Sequence, residues 1–440
     1  MKKTGNNKKY FIFILSVLSL IFFFVPTYAK AAPAPATLNS NGAVLMDATT
    51  GQVLYSKNGD QQFFPASTTK VLTALIVLEN SKLDDLVTIG VNPPHADGTS
   101  AGIRTGEQYT VDELLHGLLM HSGNDCAEAL AEHVSGSTES FAKLMNSKAK
   151  ELGATGSNFE NPSGLPDDKH VTTAHDLALF MKEAIKNSDF IRITRTLTFD
   201  FRPSNLDGNV IHLVNGNHII DPNYPQYYYK YAVSAKKGYT TVAHFTNVTS
   251  AEKDGHTLIV SLLNGPGMQQ AYDDSKNLFE YGFNNFTLQK IVSEGDEVGF
   301  FTLSDETKVP LLASKDVYYC VNNSDKNSLK TDFKFNTPEK VNAKSIISRG
   351  QSLTKCTVKI NNNDYEKIEL VSGINHNNNT GLNSQNIVSN NKNELIIAGS
   401  ILAIAFVIRI INVKRRRRRR MRKEKLNRIK IGWASCRERV

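Results

Sequence analysis

Two apolar stretches, one near each end of the chain, limit which residues can form a globular body. The 440-residue chain opens with four lysines among its first nine residues, and an apolar run over residues 10–25 follows. With the small residues of Ala29-Lys30-Ala31 behind it, this order is typical of a secretory signal peptide. We therefore expect residues 1–31 to be a cleaved signal peptide, and an uncleaved N-terminal anchor is the alternative.

The second apolar stretch, residues 395–413, is just long enough to span a bilayer as a helix. A basic run over residues 414–425 follows it directly, with ten basic residues and one acidic residue. Beside a spanning segment such a run is the positive-inside signal. The sequence thus predicts a single-pass membrane protein with an extracytoplasmic bulk and a cytoplasmic tail over residues 414–440.

The basic run also accounts for the net charge of the chain. The run alone carries +9, whereas the whole chain carries +8, so the remainder is close to neutral. A basic tail can also bind nucleic acid, but the extracytoplasmic part has no excess positive charge to attract it. We expect no nucleic-acid partner.

The four cysteines lie at positions 126, 320, 356 and 436. Cys126 falls in a helical pattern and is expected in the core, and Cys436 lies in the predicted cytoplasmic tail. Cys320 and Cys356 share an oxidising compartment, where they either pair or stay free according to their geometry. No Cys-x-x-Cys pair or histidine cluster stands at ligand spacing, so the sequence predicts no metal site and no cofactor.

The apolar periodicity predicts a mixed fold over residues 37–283. The segments "AVLMD" and "QVLYSK" form a hairpin, and helical patterns follow from Ser67, from residue 111, after "HSGND", and in "TTAHDLALFMKEAI", which carries a capping box from Thr173 to Asp176. Strand patterns return in "YAVSAK", "VAHFTNVT" and "HTLIVSLLNG", before a last helix in "AYDDSKNLFEYGF". The first and last strands can meet in one antiparallel sheet with helices beside it, which is an α+β fold.

The remainder of the predicted extracytoplasmic part has a different character. Residues 284–372 show short alternating runs and no long helix, which predicts a small all-β domain. Residues 373–394 are rich in asparagine and have little to bury, so we expect a flexible linker before the membrane segment.

Three short motifs contain residues that could take part in catalysis. In "FFPASTTK", Ser67 and Lys70 are three apart, so on a helix they share a face and the amine can reach the hydroxyl. "HSGND" places Ser122 and Asn124 in a turn between helices, and "SAKKGYTT" places Lys236 near a strand end. Helix capping and a charged edge strand explain each motif separately, but a serine nucleophile with a lysine base explains them together.

The set resembles the S-x-x-K, S-D-N and K-T-G motifs of penicillin-binding proteins and class A β-lactamases. From about residue 38 to 372 the chain is similar to the low-molecular-mass penicillin-binding proteins, which are serine D-alanyl-D-alanine carboxypeptidases. The resemblance implies a β-lactamase/transpeptidase-like domain, with an antiparallel sheet and a helical cluster, followed by a small all-β domain.

The resemblance also implies a role for each matching residue. Ser67 would be the nucleophile, Lys70 its base and Ser122 the proton relay to the leaving amine. Substrate would be bound by Asn124, Lys236, Lys237, Gly238, Tyr239 and Thr240, with the main-chain N–H groups of Ser67 and Tyr239 as the oxyanion hole. His121 has no catalytic counterpart in the family, and we expect it to be structural.

The expected activity is removal of the terminal D-alanine from peptidoglycan stem pentapeptides, which limits cross-linking in the cell wall and affects cell shape. β-Lactams would acylate the same serine. One departure is Lys237, where the family usually has threonine; Lys237 can still hold a carboxylate as a point charge, and Thr240 could supply the missing hydroxyl. A wall-binding or morphology protein with a weakened site, and a β-lactamase, are the alternatives.

Overall fold

The computed structural model describes residue 35 and residues 37–336 and 345–377. The predicted signal peptide, membrane segment, cytoplasmic tail and most of the linker lie outside these residues. Among the helices that are described, none combines the length and the hydrophobicity of a membrane span.

The described residues divide into two compact units. Residues 37–301, 309–336 and 350–373 belong to the larger unit, and residues 302–308, 345–349 and 374–377 to the smaller. In the smaller unit, Ile347 and His376 form an antiparallel bridge through two main-chain hydrogen bonds of 2.8 Å.

A five-stranded antiparallel sheet lies at the centre of the larger unit. Its strands are β1 (Gly42–Asp47), β2 (Val53–Lys57), β7 (Ala232–Thr240), β8 (His244–Lys253) and β9 (His256–Gly265). The order β2-β1-β9-β8-β7 brings the first hairpin of the chain against the last strands, as predicted. Two short hairpins lie outside this sheet: β3 (Leu86–Thr88) with β4 (Gln108–Thr110), and β5 (Thr198–Asp200) with β6 (His212–Val214).

Both faces of the central sheet are covered. Along β1, Val44 and Met46 join one apolar cluster while Ala43 and Leu45 join another, because alternate side chains of a strand point to opposite faces. This double burial explains why β1 reads as a continuous apolar run rather than an alternating one.

The described residues contain seven α helices, and several of them pack on the two faces of the sheet. They are α1 (Lys70–Asn80), α2 (Val111–His116), α3 (Asn124–Ser135), α4 (Thr138–Glu151), α5 (Ala174–Ala184), α6 (Ser188–Arg195) and α7 (Met268–Asn285). Helix α1 packs against α3, α4 and α5, and its first eight residues are all buried. Helix α7 lies on the opposite face, against β8 and β9.

The described residues after α7, 286–336 and 345–377, are rich in β strands and contain no α helix, as predicted. The strands are β10 (Phe286–Val292), β11 (Glu297–Thr302), β12 (Lys308–Ala313), β13 (Val317–Asn322), β14 (Thr331–Phe335), β15 (Ser352–Ile360) and β16 (Asn363–Ser372). Strands β10 and β13 form one sheet, and the other five form a second in the order β11-β12-β16-β15-β14. Cys320 on β13 and Cys356 on β15 belong to different sheets, and both are free thiols. The α+β fold class with a small all-β addition is thus confirmed.

The predicted capping box at α5 is only half formed. The Thr173 hydroxyl accepts from the main-chain N–H of Asp176, as expected, at 3.0 Å. The Asp176 carboxylate, however, accepts from Gly156 N–H and the Ser157 hydroxyl instead of closing the box. A complete box forms at α2, between Thr110 and Glu113.

Asp274 ties α7 to the start of the folded chain. Its buried carboxylate accepts four hydrogen bonds of 2.7–3.1 Å, from the main-chain N–H groups and side chains of Asn39 and Ser40. Asn39 is exposed, but the two donors of Ser40 are buried and would have no water to replace the carboxylate.

We predict that Asp274→Ala lowers the free energy of unfolding by about 3 kcal/mol, because the two buried donors of Ser40 lose their acceptor. Asp273→Ala is the matched control, since that side chain is 45% exposed and its ion pair lies at the surface. The control should cost below about 1 kcal/mol. Urea unfolding of both variants checks this, and equal losses would contradict the assigned role of Asp274.

Candidate active site

Ser67 lies in a short 3₁₀ helix, Ala66–Thr69, that leads directly into α1. The residue before it, Ala66, is buried and has φ of 50°, a left-handed conformation that costs a non-glycine residue about 1–3 kcal/mol. The surrounding structure therefore holds this turn in place. Ser67 makes no side-chain cap for the helix, so helix capping does not account for it.

The Lys70 amine has three hydrogen-bond partners. Its Nζ lies 3.1 Å from Ser67 Oγ, 2.7 Å from Asn124 Oδ1 and 2.6 Å from the main-chain oxygen of Ser163. The last two can only accept, so they take two N–H groups. When the amine is neutral, its lone pair is left for the hydroxyl of Ser67.

Burial decides the charge of this amine. Lys70 is fully buried, and desolvation lowers the pKa of its amine to about 7, against a smaller opposing effect of the Asp125 carboxylate. None of its three hydrogen-bond partners is a carboxylate that would stabilise the ammonium form. A large fraction of the protein therefore carries a neutral Lys70 near pH 7.

The carbonyl of Ser163 reaches Lys70 because Asn161 folds the loop around itself. Asn161 Oδ1 accepts from the N–H groups of Ser163, Gly164 and Leu165 at 2.8–3.2 Å. Its Nδ2 donates to Leu165 O at 3.0 Å, which closes the loop. The Asn161 side chain thus fixes one wall of the lysine pocket.

Gly164 is required at its position for two reasons. Its φ is 86°, and a Cβ there would lie 1.8 Å from the carbonyl oxygen of Ala66. The loop therefore packs directly on the strained turn that carries Ser67.

Ser122 ends a π-helical turn, Gly117–His121, and has φ of 71°. Single π turns of this kind are frequent at functional sites. The Ser122 hydroxyl accepts from Lys236 Nζ at 3.0 Å, and Lys236 also donates to the carbonyl of Lys237 at 2.8 Å. The second and third motifs are thus joined by one hydrogen bond.

The cleft contains two further amines with lowered pKa. Burial, followed by the charges of Lys70 and Lys237, holds the pKa of Lys236 well below its usual value. Burial also lowers the pKa of Lys237. The Lys237 side chain lies over Gly216, where an added Cβ would be 3.3 Å from its Cε.

The backbone of β7 presents its edge to the cleft. The Lys237 N–H donates to Asn217 Oδ1 at 2.8 Å, away from β8. Because N–H groups two residues apart on a strand point the same way, that of Tyr239 also points away from β8. Between them, Gly238 lies so close to Ser67 that a Cβ would be 2.7 Å from the Ser67 nitrogen.

Most of the predicted site residues line one cleft of about 380 Å³. It is lined by Ser67, Ser122, Lys236, Lys237, Gly238 and Tyr239, together with Thr99, Met120, His121, Val214, Gly216, Asn217 and Phe245. Asn124 joins them through Lys70. Thr240 is not among these lining residues, and its hydroxyl accepts from the N–H of Ala243 in the β7–β8 turn at 3.0 Å. The role of the Thr240 hydroxyl in substrate binding stays a prediction.

The motifs did not identify several residues that shape the site. The main-chain oxygen of Ser163, the side chain of Asn161 and Asn217 all lie outside the three motifs. Thr246 donates to Pro65 O at 2.8 Å, and buried His170 contacts Thr69 Oγ1 at 3.0 Å.

Comparison with known proteins identifies the family. The D-alanyl-D-alanine carboxypeptidase family matches residues 28–267, and the C-terminal domain of penicillin-binding protein 5 matches residues 286–377. The chain is 30% identical over 335 residues to the D-alanyl-D-alanine carboxypeptidase DacF of Bacillus subtilis, covering 73% of this chain and 81% of that protein. The chain belongs to the D-alanyl-D-alanine carboxypeptidase family.

Two further relatives agree with this. The D-alanyl-D-alanine carboxypeptidase DacB2 of Mycobacterium tuberculosis is 36% identical over 245 residues, covering 54% of this chain and 81% of that protein. The crystal structure of penicillin binding protein 5 from Haemophilus influenzae matches with a TM-score of 0.65 and 25% identity, covering 78% of this chain and 99% of that one.

We predict that Gly164→Ala lowers the free energy of unfolding by more than about 2 kcal/mol. The added methyl group would combine backbone strain at positive φ with a clash against the carbonyl of Ala66. Gly136→Ala is the matched control, because Gly136 has φ of 79° but nothing within 4 Å of an added Cβ. The control should lose about 1 kcal/mol. Thermal unfolding of the two variants measures the difference, and equal losses would show that the contact with Ala66 carries no weight.

Proposed function

We propose that the chain is a serine D-alanyl-D-alanine carboxypeptidase that removes the terminal D-alanine from peptidoglycan stem pentapeptides through an acyl-enzyme. The observation that carries the proposal is the buried Lys70 amine, held 3.1 Å from Ser67 Oγ by two acceptors. This geometry provides an activated nucleophile at neutral pH.

In the first step the neutral Lys70 amine takes the proton of Ser67 Oγ as that oxygen attacks the carbonyl carbon of the penultimate D-alanine. The negative charge that develops on the carbonyl oxygen is met by the N–H groups of Ser67 and Tyr239. Gly238 allows this close approach of β7 to Ser67.

In the second step the peptide bond breaks and the terminal D-alanine leaves as an amine. Ser122 gives its proton to that nitrogen and regains one from the Lys70 ammonium as the tetrahedral intermediate collapses, so both groups return to their neutral forms. Lys236 supports the Ser122 hydroxyl at 3.0 Å. Water then attacks the acyl-enzyme ester, which releases the shortened peptide and restores the Ser67 hydroxyl.

Substrate binding is assigned to the amines and amides around the cleft. Lys236 and Lys237 supply N–H donors for the terminal carboxylate of the peptide, whose negative charge in turn favours the protonated form of these amines, and Asn124 holds the substrate amide. Lys237 keeps this function without the usual threonine, because its amine reaches the cleft over Gly216. β-Lactams would enter the same way and acylate Ser67, since they present a strained amide in place of the peptide bond.

A β-lactamase is less well supported. Deacylation in the class A enzymes uses a glutamate that acts through water. In the described part of this chain the corresponding wall of the lysine pocket is the main-chain oxygen of Ser163. The nearby Glu160 is exposed and accepts a hydrogen bond from Asn158 instead. A long-lived acyl-enzyme is therefore expected.

The cellular setting is part of the proposal. Residues 1–31 would direct export, and residues 395–413 would anchor the chain with residues 414–440 in the cytoplasm. These assignments depend on the apolar runs and the basic run of the sequence. The active site would then face the peptidoglycan outside the membrane.

The test of the activity is D-alanine release from a D-Ala-D-Ala peptide, together with a mass spectrum after exposure to penicillin. The native chain should release D-alanine and gain the mass of one penicillin, and Ser67→Ala should do neither. Ser81→Ala, just beyond the end of α1, is the control and should behave as the native chain. An adduct on Ser67→Ala would overturn the assignment of the nucleophile. An adduct on the native chain without D-alanine release would favour a weakened, wall-binding protein.

The pKa of Lys70 predicts how acylation depends on pH. The base works only when neutral, so the penicillin acylation rate should rise through about pH 7 and level off above it. At one pH unit below the pKa the rate should be about one tenth of the plateau. Stopped-flow measurement of the acylation rate from about pH 5.5 to about pH 9 checks this. That range covers the pKa values near neutrality to which general bases are tuned.

Lys70→Arg extends the same prediction. Arginine keeps the positive charge but does not lose a proton, so acylation should fall by about 10²–10⁴-fold at every pH. Lys82→Arg, an exposed lysine beyond the same helix, is the control and should retain the native profile. A native rate that stays flat across neutrality would exclude Lys70 as the base.

A further inference from the structure

A second cluster of reactive side chains lies away from the cleft. Asp47 ends β1, His256 begins β9, and Cys320 lies on β13. One oxygen, one nitrogen and one sulfur of these residues all lie within 4.8 Å of one another. The proposed peptidase mechanism uses none of the three.

The three donor atoms converge on one point rather than forming a relay. His256 Nε2 lies 2.8 Å from Asp47 Oδ2 and 3.8 Å from Cys320 Sγ. In a catalytic triad the acid and the nucleophile would contact opposite ring nitrogens, but here both approach the same one. This convergence is the arrangement of ligands around a cation.

The distances suit a small tetrahedral ion. Zinc bonds of about 2.0 Å to nitrogen or oxygen and about 2.3 Å to sulfur place neighbouring ligand atoms about 3.3–3.6 Å apart. The two measured separations, 2.8 and 3.8 Å, lie on either side of that range. All three donor atoms lie within 4.8 Å of one another, so side-chain shifts on the order of 1 Å would complete the coordination.

The surrounding residues hold two of the donors in position. Thr50 donates to Asp47 Oδ1 through its N–H at 2.6 Å and its hydroxyl at 2.7 Å, which leaves Oδ2 for the cluster. Gln52 accepts from the Cys320 N–H at 2.6 Å and donates to the Cys320 carbonyl at 3.3 Å. Such outer contacts orient the ligands of metal sites.

Burial and access are also appropriate. Asp47 is 0% exposed and Cys320 3% exposed, so a cation would neutralise a carboxylate that is out of reach of water. A cavity of about 430 Å³ borders His256 and Tyr318, so an ion can approach the cluster from the side of His256. Three protein ligands and one water is a common zinc arrangement.

We propose that Asp47, His256 and Cys320 form a zinc site that joins the central sheet to the all-β part of the chain. Zinc takes the place of the Cys320 thiol proton, which leaves to solvent, and of the hydrogen bond between His256 and Asp47. The mixed carboxylate, imidazole and thiolate set favours zinc over magnesium or calcium, which prefer oxygen alone. The ion would stabilise the contact between β13 and the strands β1 and β9.

Cobalt(II) is the probe, because a thiolate bound to it gives a charge-transfer absorption in the near ultraviolet. The full chain is purified in detergent, stripped with chelator and titrated with cobalt and then zinc. All forms carry Cys436→Ser, so that the remaining cysteines are the three described ones. The expected result is one cobalt per chain with the thiolate band, its displacement by one zinc, and a higher Tm with zinc.

Cys320→Ser and His256→Gln should lose the thiolate band and the rise in Tm, whereas Cys356→Ser should keep both. Cys356 is the matched control, because it is also a buried free thiol on a strand of the all-β part. Asp47→Asn keeps the shape of the side chain and should weaken cobalt binding at least tenfold. Absence of the band in the parent, its persistence in Cys320→Ser, or its loss in Cys356→Ser would each overturn the proposal.

Discussion

The enclosure of one amine governs the rest of the active site. Lys70 has no carboxylate among its hydrogen-bond partners, and the two pure acceptors around it come from the start of α3 and from the Asn161 loop. Solvent is excluded, so the ammonium form loses its hydration without gaining a counter-charge. Everything else in the cleft, from the left-handed Ala66 to the loop packed upon it, keeps that amine facing Ser67.

The position of this enclosure follows from the sheet. With both faces of β1 buried, a slip of the central strands would exchange side chains between two apolar clusters that are each packed around a particular set of residues. Strand β7 is therefore fixed relative to the helical layer, and the hydrogen bond between Lys236 and Ser122 can form at a set distance. The strain at Ala66 and Ser122 is tolerated because this rigid frame over-determines both turns.

Spacing along the chain revealed the parts of the site that lie on one element. Ser67 and Lys70 are one helical turn apart, so their meeting could be predicted, and the strand pattern correctly brought the two ends of the domain into one sheet. The carbonyl of Ser163 could not be predicted, because main-chain atoms have no sequence signature. The cluster of Asp47, His256 and Cys320 was missed since its members are distant in sequence. The hydrogen bond from Ala243 to Thr240 was not predicted either, because it belongs to a tight turn.

The edge of β7 has a consequence for the kind of molecule the cleft can accept. An open sheet edge normally invites a partner strand to pair along its whole length. Here the amide of Lys237 is already taken by Asn217, and Ala235 further back is fully buried. Of the outward N–H groups of Ala235, Lys237 and Tyr239, that of Tyr239 remains for a bound peptide. The edge of β7 can therefore pair with a single peptide unit of an incoming chain. This edge is thereby suited to the terminal peptide unit of a chain and not to pairing with a long extended segment of another protein.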